Sequence, residues 1–125
     1  MPDTLKWLPM DSGRRCAVVR FPPEVDVASA PRLREHMLIL LNRGAGGIIA
    51  DLSGTRFCDS TGLSVLLRAR TRANAMGTPI GLVLPDDGPV RKVFDVSGVG
   101  GLFPRAATPR HVLGELVPAT AGGRS

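Results

Sequence analysis

The chain has 125 residues, 43% of them hydrophobic and 22% charged. That is ordinary usage for one globular domain, which at this length removes roughly two-thirds of its unfolded surface from water, and it excludes fibrous, collagen-like and wholly disordered chains. Sixteen Lys and Arg against eleven Asp and Glu give a net charge of +5; that permits an acidic partner without identifying one.

Nucleic acid is not expected as a partner, because the chain has no Tyr, one Trp and four Phe, and its basic residues are scattered rather than clustered. The longest apolar run, Met37-Leu38-Ile39-Leu40-Leu41, falls far short of the roughly 20 residues that cross a bilayer. The opening Met1-Pro2-Asp3-Thr4 lacks the basic and apolar stretches of an export signal, so no membrane association is expected and the cytoplasm is the expected compartment. Cys16 and Cys58 are far apart and only two His accompany them. Neither a redox CxxC pair nor a metal site can be assembled, and both cysteines read as reduced thiols of the core.

Taken in chain order, Leu5 to Leu8 is placed to pair antiparallel with the following run, Cys16-Ala17-Val18-Val19-Arg20-Phe21, a strand bounded by Gly13 and by Pro22-Pro23. Ser29 is a cap candidate and Pro31 suits a first helical turn; Leu33, Met37, Leu40 and Leu41 then recur at helical spacing until Asn42-Arg43-Gly44. Gly47 to Leu52 is apolar on both sides of the pleat, as a central strand covered on both faces would be. A second helix starts at Ser60, with Leu63, Leu66, Leu67, Ala69 and Ala73 as its apolar stripe, and ends at Gly77. Arg68 and Arg72 lie opposite that stripe, either solvated or facing an acidic partner.

Pro79 to Leu84 reads as a further strand. Asp86-Asp87-Gly88-Pro89 is a turn opening a third helix, Val90 to Val96, with Val93 and Phe94 toward the core and Ser97-Gly98 at its end. Gly101-Leu102-Phe103 is expected as a last short strand, and Thr108-Pro109 as the cap and first turn of a helix reaching Leu116. The pattern is α/β: a single domain over 1–117 with a mixed, mostly parallel sheet of four to five strands and about four helices. A disordered tail is expected over 118–125.

The stretch richest in chemistry is Phe57-Cys58-Asp59-Ser60-Thr61-Gly62-Leu63, where a strand runs through a short loop into a helix. Unpaired N–H groups and the positive end of the dipole favour a negative group there, so a phosphate on Ser60 would be tolerated. Spacing alone also allows the simpler reading in which Asp59 or Ser60 only caps the helix. Cys58 beside it is a poor redox sensor, because Asp59 opposes the thiolate.

These residues resemble the STAS family, and within it the anti-sigma factor antagonists. Phe57 to Leu63 reproduces the pattern Phe-x-Asp-Ser-[Ser/Thr]-Gly-Leu in full. Phe94-Asp95-Val96-Ser97-Gly98-Val99 matches a second element, and Pro23-Glu24-Val25-Asp26 keeps the two acids of a third, Gly-Glu-Leu-Asp, with proline replacing glycine. The resemblance spans about residues 5 to 116. It implies a regulatory protein with no cofactor and no catalytic activity, whose unphosphorylated form binds an anti-sigma factor with serine kinase activity and frees a sigma factor. It further implies that this kinase phosphorylates Ser60, with Thr61 the alternative acceptor, and that a serine phosphatase reverses the step. Glu24, Asp26, Asp59, Ser60, Thr61 and Gly62 are the implied partner contacts; Glu24 and Asp26 read equally as solvated loop acids.

Two other uses of the same fold stay open at this level. One is an interaction subunit of another signalling or transport assembly, with Ser60 only a cap. The other is a nucleotide-binding domain, although the chain has no Gly-x-x-x-x-Gly-Lys-[Ser/Thr] loop. An enzyme is not expected, because His36 and His111 fall in helices with no nucleophile or metal cluster placed beside them.

Overall fold

The computed structural model describes residues 5–116, which form an α/β domain. Strands β1 (Leu5–Pro9) and β2 (Arg15–Arg20) make the expected antiparallel hairpin, with Leu5 opposite Val19 and Pro9 opposite Arg15. Beyond β2, the strands β4 (Gly47–Asp51), β6 (Ile80–Val83) and β7 (Arg105–Ala106) add in parallel, giving the order β1-β2-β4-β6-β7. A separate pair of two-residue strands, β3 (Glu24–Val25) and β5 (Phe57–Cys58), runs parallel beside it. The helices are α1 (Ala30–Asn42), α2 (Ser60–Ala75), α3 (Gly88–Ser97) and α4 (Pro109–Glu115). None is long and apolar enough to cross a membrane, and the expected tail at 118–125 lies outside the described residues.

The sheet has two buried faces, as the apolar character of β4 on both sides requires. On one face Ile48, Ala50, Ile80 and Leu82 pack against α1, α2 and α3 through Met37, Leu41, Leu66, Ala69 and Phe94. On the other, Cys16, Val18, Ile49 and Val83 pack against Val112 of α4, flanked by Leu8, Met10 and Leu116. Both cysteines are buried free thiols, as expected. Of the two residues expected to face the core from α3, Phe94 is buried and Val93 half-buried.

Two local expectations are corrected. Gly101-Leu102-Phe103 is not a strand: Val99–Leu102 is a turn of 3₁₀ helix, and the edge strand is Arg105–Ala106. Gly98, at φ +78°, ends α3 and reverses the chain, while the Ser97 hydroxyl accepts the Val99 N–H. Val99 and Phe103 are then both buried across a helical interval, and Arg70 holds the end of the turn by donating to the Leu102 carbonyl. Nor does the Ser29 side chain cap α1. Its hydroxyl turns back to the Glu24 carbonyl, and the Asp26 carboxylate takes the N–H groups of Ala28 and Ser29 at 3.0 and 3.2 Å. The Asp26 carbonyl also accepts the Ala30 N–H, so Asp26 is the functional cap one turn earlier.

Helix α4 reaches the sheet over Gly81. A Cβ there would collide with Val112 and lie 3.0 Å from Leu116 Cδ2 and 3.2 Å from the Pro104 carbonyl oxygen. Gly81→Ala is therefore expected to overpack the smaller core and lower stability by about 1–3 kcal/mol in urea denaturation. An unchanged midpoint would show that α4 yields freely.

Candidate functional site at the start of the second helix

The β3–β5 pairing builds the site. Val25 and Cys58 lie opposite each other, both buried, and the Asp59 N–H continues the ladder to the Val25 carbonyl at 3.2 Å. The chain therefore leaves both strands at one edge, where Asp26 starts α1 and Asp59 starts α2. Pro23, where the sequence departs from the glycine of the pattern, fits without disturbance. Its carbonyl accepts the N–H groups of Arg56 and Phe57 at 2.7 and 3.1 Å, and the Pro22 carbonyl accepts the hydroxyl of buried Thr55 at 3.0 Å. These bonds are made by carbonyl oxygens, which proline keeps, and need no proline N–H.

Asp59, rather than Ser60, caps α2. Its carboxylate accepts the Thr61 N–H at 2.9 Å and the Thr61 hydroxyl in a short hydrogen bond. The Thr61 hydroxyl is the main reason the Asp59 carboxyl titrates below its ordinary range; the backbone N–H groups of Thr61 and Gly62 add to the effect against partial desolvation. Ser60 occupies the first helical position with its side chain exposed, and the cap is complete without its hydroxyl. Cys58, directly beneath, has its thiol pushed up to about 11 by burial and by the Asp59 charge. It stays protonated near neutral pH, as expected of a poor redox sensor.

Gly62 lies below the surface. A Cβ on it would run into Cys58 Sγ and lie 2.8 Å from Val25 Cγ1, so this residue lets α2 approach the ribbon and presents no side to a partner. Glu24, Asp26, Asp59, Ser60 and Thr61 gather at the ribbon edge, with Glu24 and Ser60 exposed. Asp26 is half-buried and tied to backbone N–H groups, not the freely solvated loop acid that the sequence also allowed.

Sequence reasoning passed over Val27 and Arg34 here, and read Phe57 only as part of a motif. Val27 and Phe57, at the same edge, are 74% and 49% exposed, apolar surface of the kind that marks contact sites when it adjoins polar groups. Arg34 of α1 joins Ser60, Thr61, Ser64, Val65 and Arg68 around an open depression of about 370 Å³. Arg34 stands eight residues after the cap Asp26 and Arg68 nine after Asp59. Those similar distances from two helix starts carry meaning only once the starts are known to lie side by side. His36 and His111 do not line the depression, and no cluster of metal-ligating residues occurs among the described residues.

The STAS domain family matches the chain over residues 9–111. No curated protein sequence matches it. Among solved structures, an anti-sigma factor antagonist from Mycobacterium paratuberculosis is 25% identical, with a TM-score of 0.72 over 93% of this chain and 97% of that one. The unphosphorylated form of the anti-sigma factor antagonist SpoIIAA is 23% identical, with a TM-score of 0.71 over 89% and 94%. The phosphorylated form of SpoIIAA, a Bacillus cell fate determinant, is 23% identical, with a TM-score of 0.61 over 89% and 97%.

Two consequences can be measured. Asp26→Ala removes a cap that takes two N–H groups and is expected to cost about 1 kcal/mol of stability, read as a lower denaturation midpoint; an unchanged midpoint would mean that water replaces the carboxylate fully. For Asp59, the depressed pKa stabilises the fold above the carboxyl's unfolded value near pH ~3.9 and ceases to do so as pH falls through the lower folded value. Asn is also a good cap, so Asp59→Asn removes mainly the charge. The variant is expected to melt below wild type at neutral pH, with the gap closing in acid, whereas parallel melting curves across the whole range would contradict the charge assignment.

Proposed function

The chain belongs to the STAS domain family, and from that premise we propose that it is an anti-sigma factor antagonist switched by phosphorylation of Ser60. The unphosphorylated protein binds an anti-sigma factor with serine kinase activity, which releases a sigma factor; a serine phosphatase restores the binding form. On this reading the protein is a cytoplasmic binding module, not a catalyst.

The observation that carries the proposal is the division of labour at the start of α2. Asp59 and Thr61 satisfy each other and the helix end, which leaves the exposed Ser60 hydroxyl as the group open to modification. Thr61, with its hydroxyl committed to Asp59, is the weaker acceptor. Structures of the same fold in unphosphorylated and phosphorylated SpoIIAA support the assignment.

The contact surface is Glu24, Asp26, Asp59, Ser60 and Thr61, with exposed Val27 and Phe57 beside them. A phosphoserine there adds about −1.5 to −2 charge next to Asp59, and a docked partner must desolvate it. A penalty of roughly 3–4 kcal/mol lowers affinity several hundredfold, so exclusion of the partner requires no change of shape.

Incubation with the cognate anti-sigma kinase and ATP is expected to add one phosphate, mapped to Ser60 by mass spectrometry; incorporation that persists in Ser60→Ala would reject the site. Ser60→Asp is expected to weaken binding of the anti-sigma factor in isothermal titration while leaving the melting temperature nearly unchanged. An acid at the first helical position suits the dipole, and the cap remains at Asp59.

A further inference from the structure

We propose that Arg34 and Arg68 form a phosphate-binding subsite that holds the phosphoryl group of phosphorylated Ser60 on the protein's own surface. The inference rests on Ser60 as the modified residue and goes beyond it by assigning what receives the phosphate.

Three observations lead there. First, the depression onto which Ser60 opens is lined by Arg34, Thr61, Ser64, Val65 and Arg68, with no carboxylate-bearing residue in the lining. Two cations from two packed helices thus face a pair of hydroxyl-bearing residues around the acceptor serine. Second, among the described residues the ion pairs are those of Arg91 and Arg105, both with Asp95; Arg34 and Arg68 have neither a carboxylate nor a carbonyl partner there. Third, three of the N–H groups at the helix start are already committed, which leaves the helix end little to offer a phosphate. The N–H of Thr61 is taken by the Asp59 side chain, and those of Gly62 and Leu63 by the Asp59 carbonyl.

The charges then decide the direction. The Asp59 carboxylate repels a phosphoryl dianion from the ribbon edge, and the uncommitted cations lie the other way. Arg68 sits two turns after Ser60, about 12 Å of rise, and helical side chains slant back toward the N-terminus, which shortens that distance; Ser64 stands one turn between them. Arg34 approaches from α1 across the helix interface. Two guanidinium groups suit a phosphate, because each offers a planar fork of donors to its oxygens. A phosphate so held is partly neutralised and sheltered, which lengthens the life of the phosphorylated state against a phosphatase.

The test uses the full chain with phosphoserine installed at position 60 during synthesis, so that it does not depend on any kinase. The second ionisation of the phosphate is followed by ³¹P NMR against pH. Nearby cations favour the dianion, so the double variant Arg34→Gln/Arg68→Gln is expected to titrate about half a pH unit or more above the protein with both arginines. Arg72→Gln, which removes an exposed charge of the same helix outside the depression, is expected to leave the curve in place. Coincident curves for the double variant and the parent would overturn the subsite, as would an equal shift from Arg72→Gln, which would reduce the effect to net charge. A kinase that fails to modify Ser60 would refute the acceptor assignment and leave this titration unaffected.

Discussion

The short parallel ribbon of Glu24–Val25 with Phe57–Cys58 governs the arrangement of everything around it. Four residues, clasped from below by the carbonyls of Pro22 and Pro23, decide where two helices begin. Because the strands run parallel, α1 and α2 leave from one edge, and their first turns become neighbours. Residues separated by more than thirty positions in the chain, such as Arg34 and Arg68, are thereby brought around one depression. Gly62 completes the arrangement by removing the side chain that would hold α2 away from Val25 and Cys58.

The division between the cap, Asp59, and the proposed acceptor, Ser60, follows from that placement. A helix start needs hydrogen-bond acceptors for its free N–H groups, and Asp59 supplies them with help from Thr61. The adjacent position then carries no structural duty. Had serine been the cap, modifying its oxygen would have removed a helix bond as well as adding charge, and packing would have been coupled to signalling.

Much of this was legible in the residues. Helical periodicity gave α1 and α2 through Leu33, Met37, Leu40, Leu66 and Ala73, and two-sided apolar runs gave β4 and β6, because burial on a known period leaves a mark in sequence. The two-residue strands were not legible as a pair: no periodicity can be read over so short a span, and only tertiary contact reveals that Val25 faces Cys58. Asp26 and Ser29 are both good caps within one turn, and the choice between them depends on where the ribbon releases the chain. Gly101-Leu102-Phe103 has the composition of a short strand, yet burial of both Val99 and Phe103 imposes a helical turn. At the candidate site, family resemblance singled out the stretch Phe57 to Leu63, whereas spacing left Asp59 and Ser60 equally eligible as caps. Arg34 was invisible, since nothing local to α1 marks it.

The completeness of the Asp59 cap also bears on timing. If Ser60 is the phosphorylated residue, as proposed, esterifying a hydroxyl that holds no helix bond leaves the backbone with nothing to rearrange, so either form is ready the moment its covalent state is set. The delay between signal and response is then the turnover time of the enzymes that write and erase the mark, with no slow conformational relaxation added. A protein switched in that way would store one bit of information chemically rather than mechanically, and retain it for as long as the ester survives.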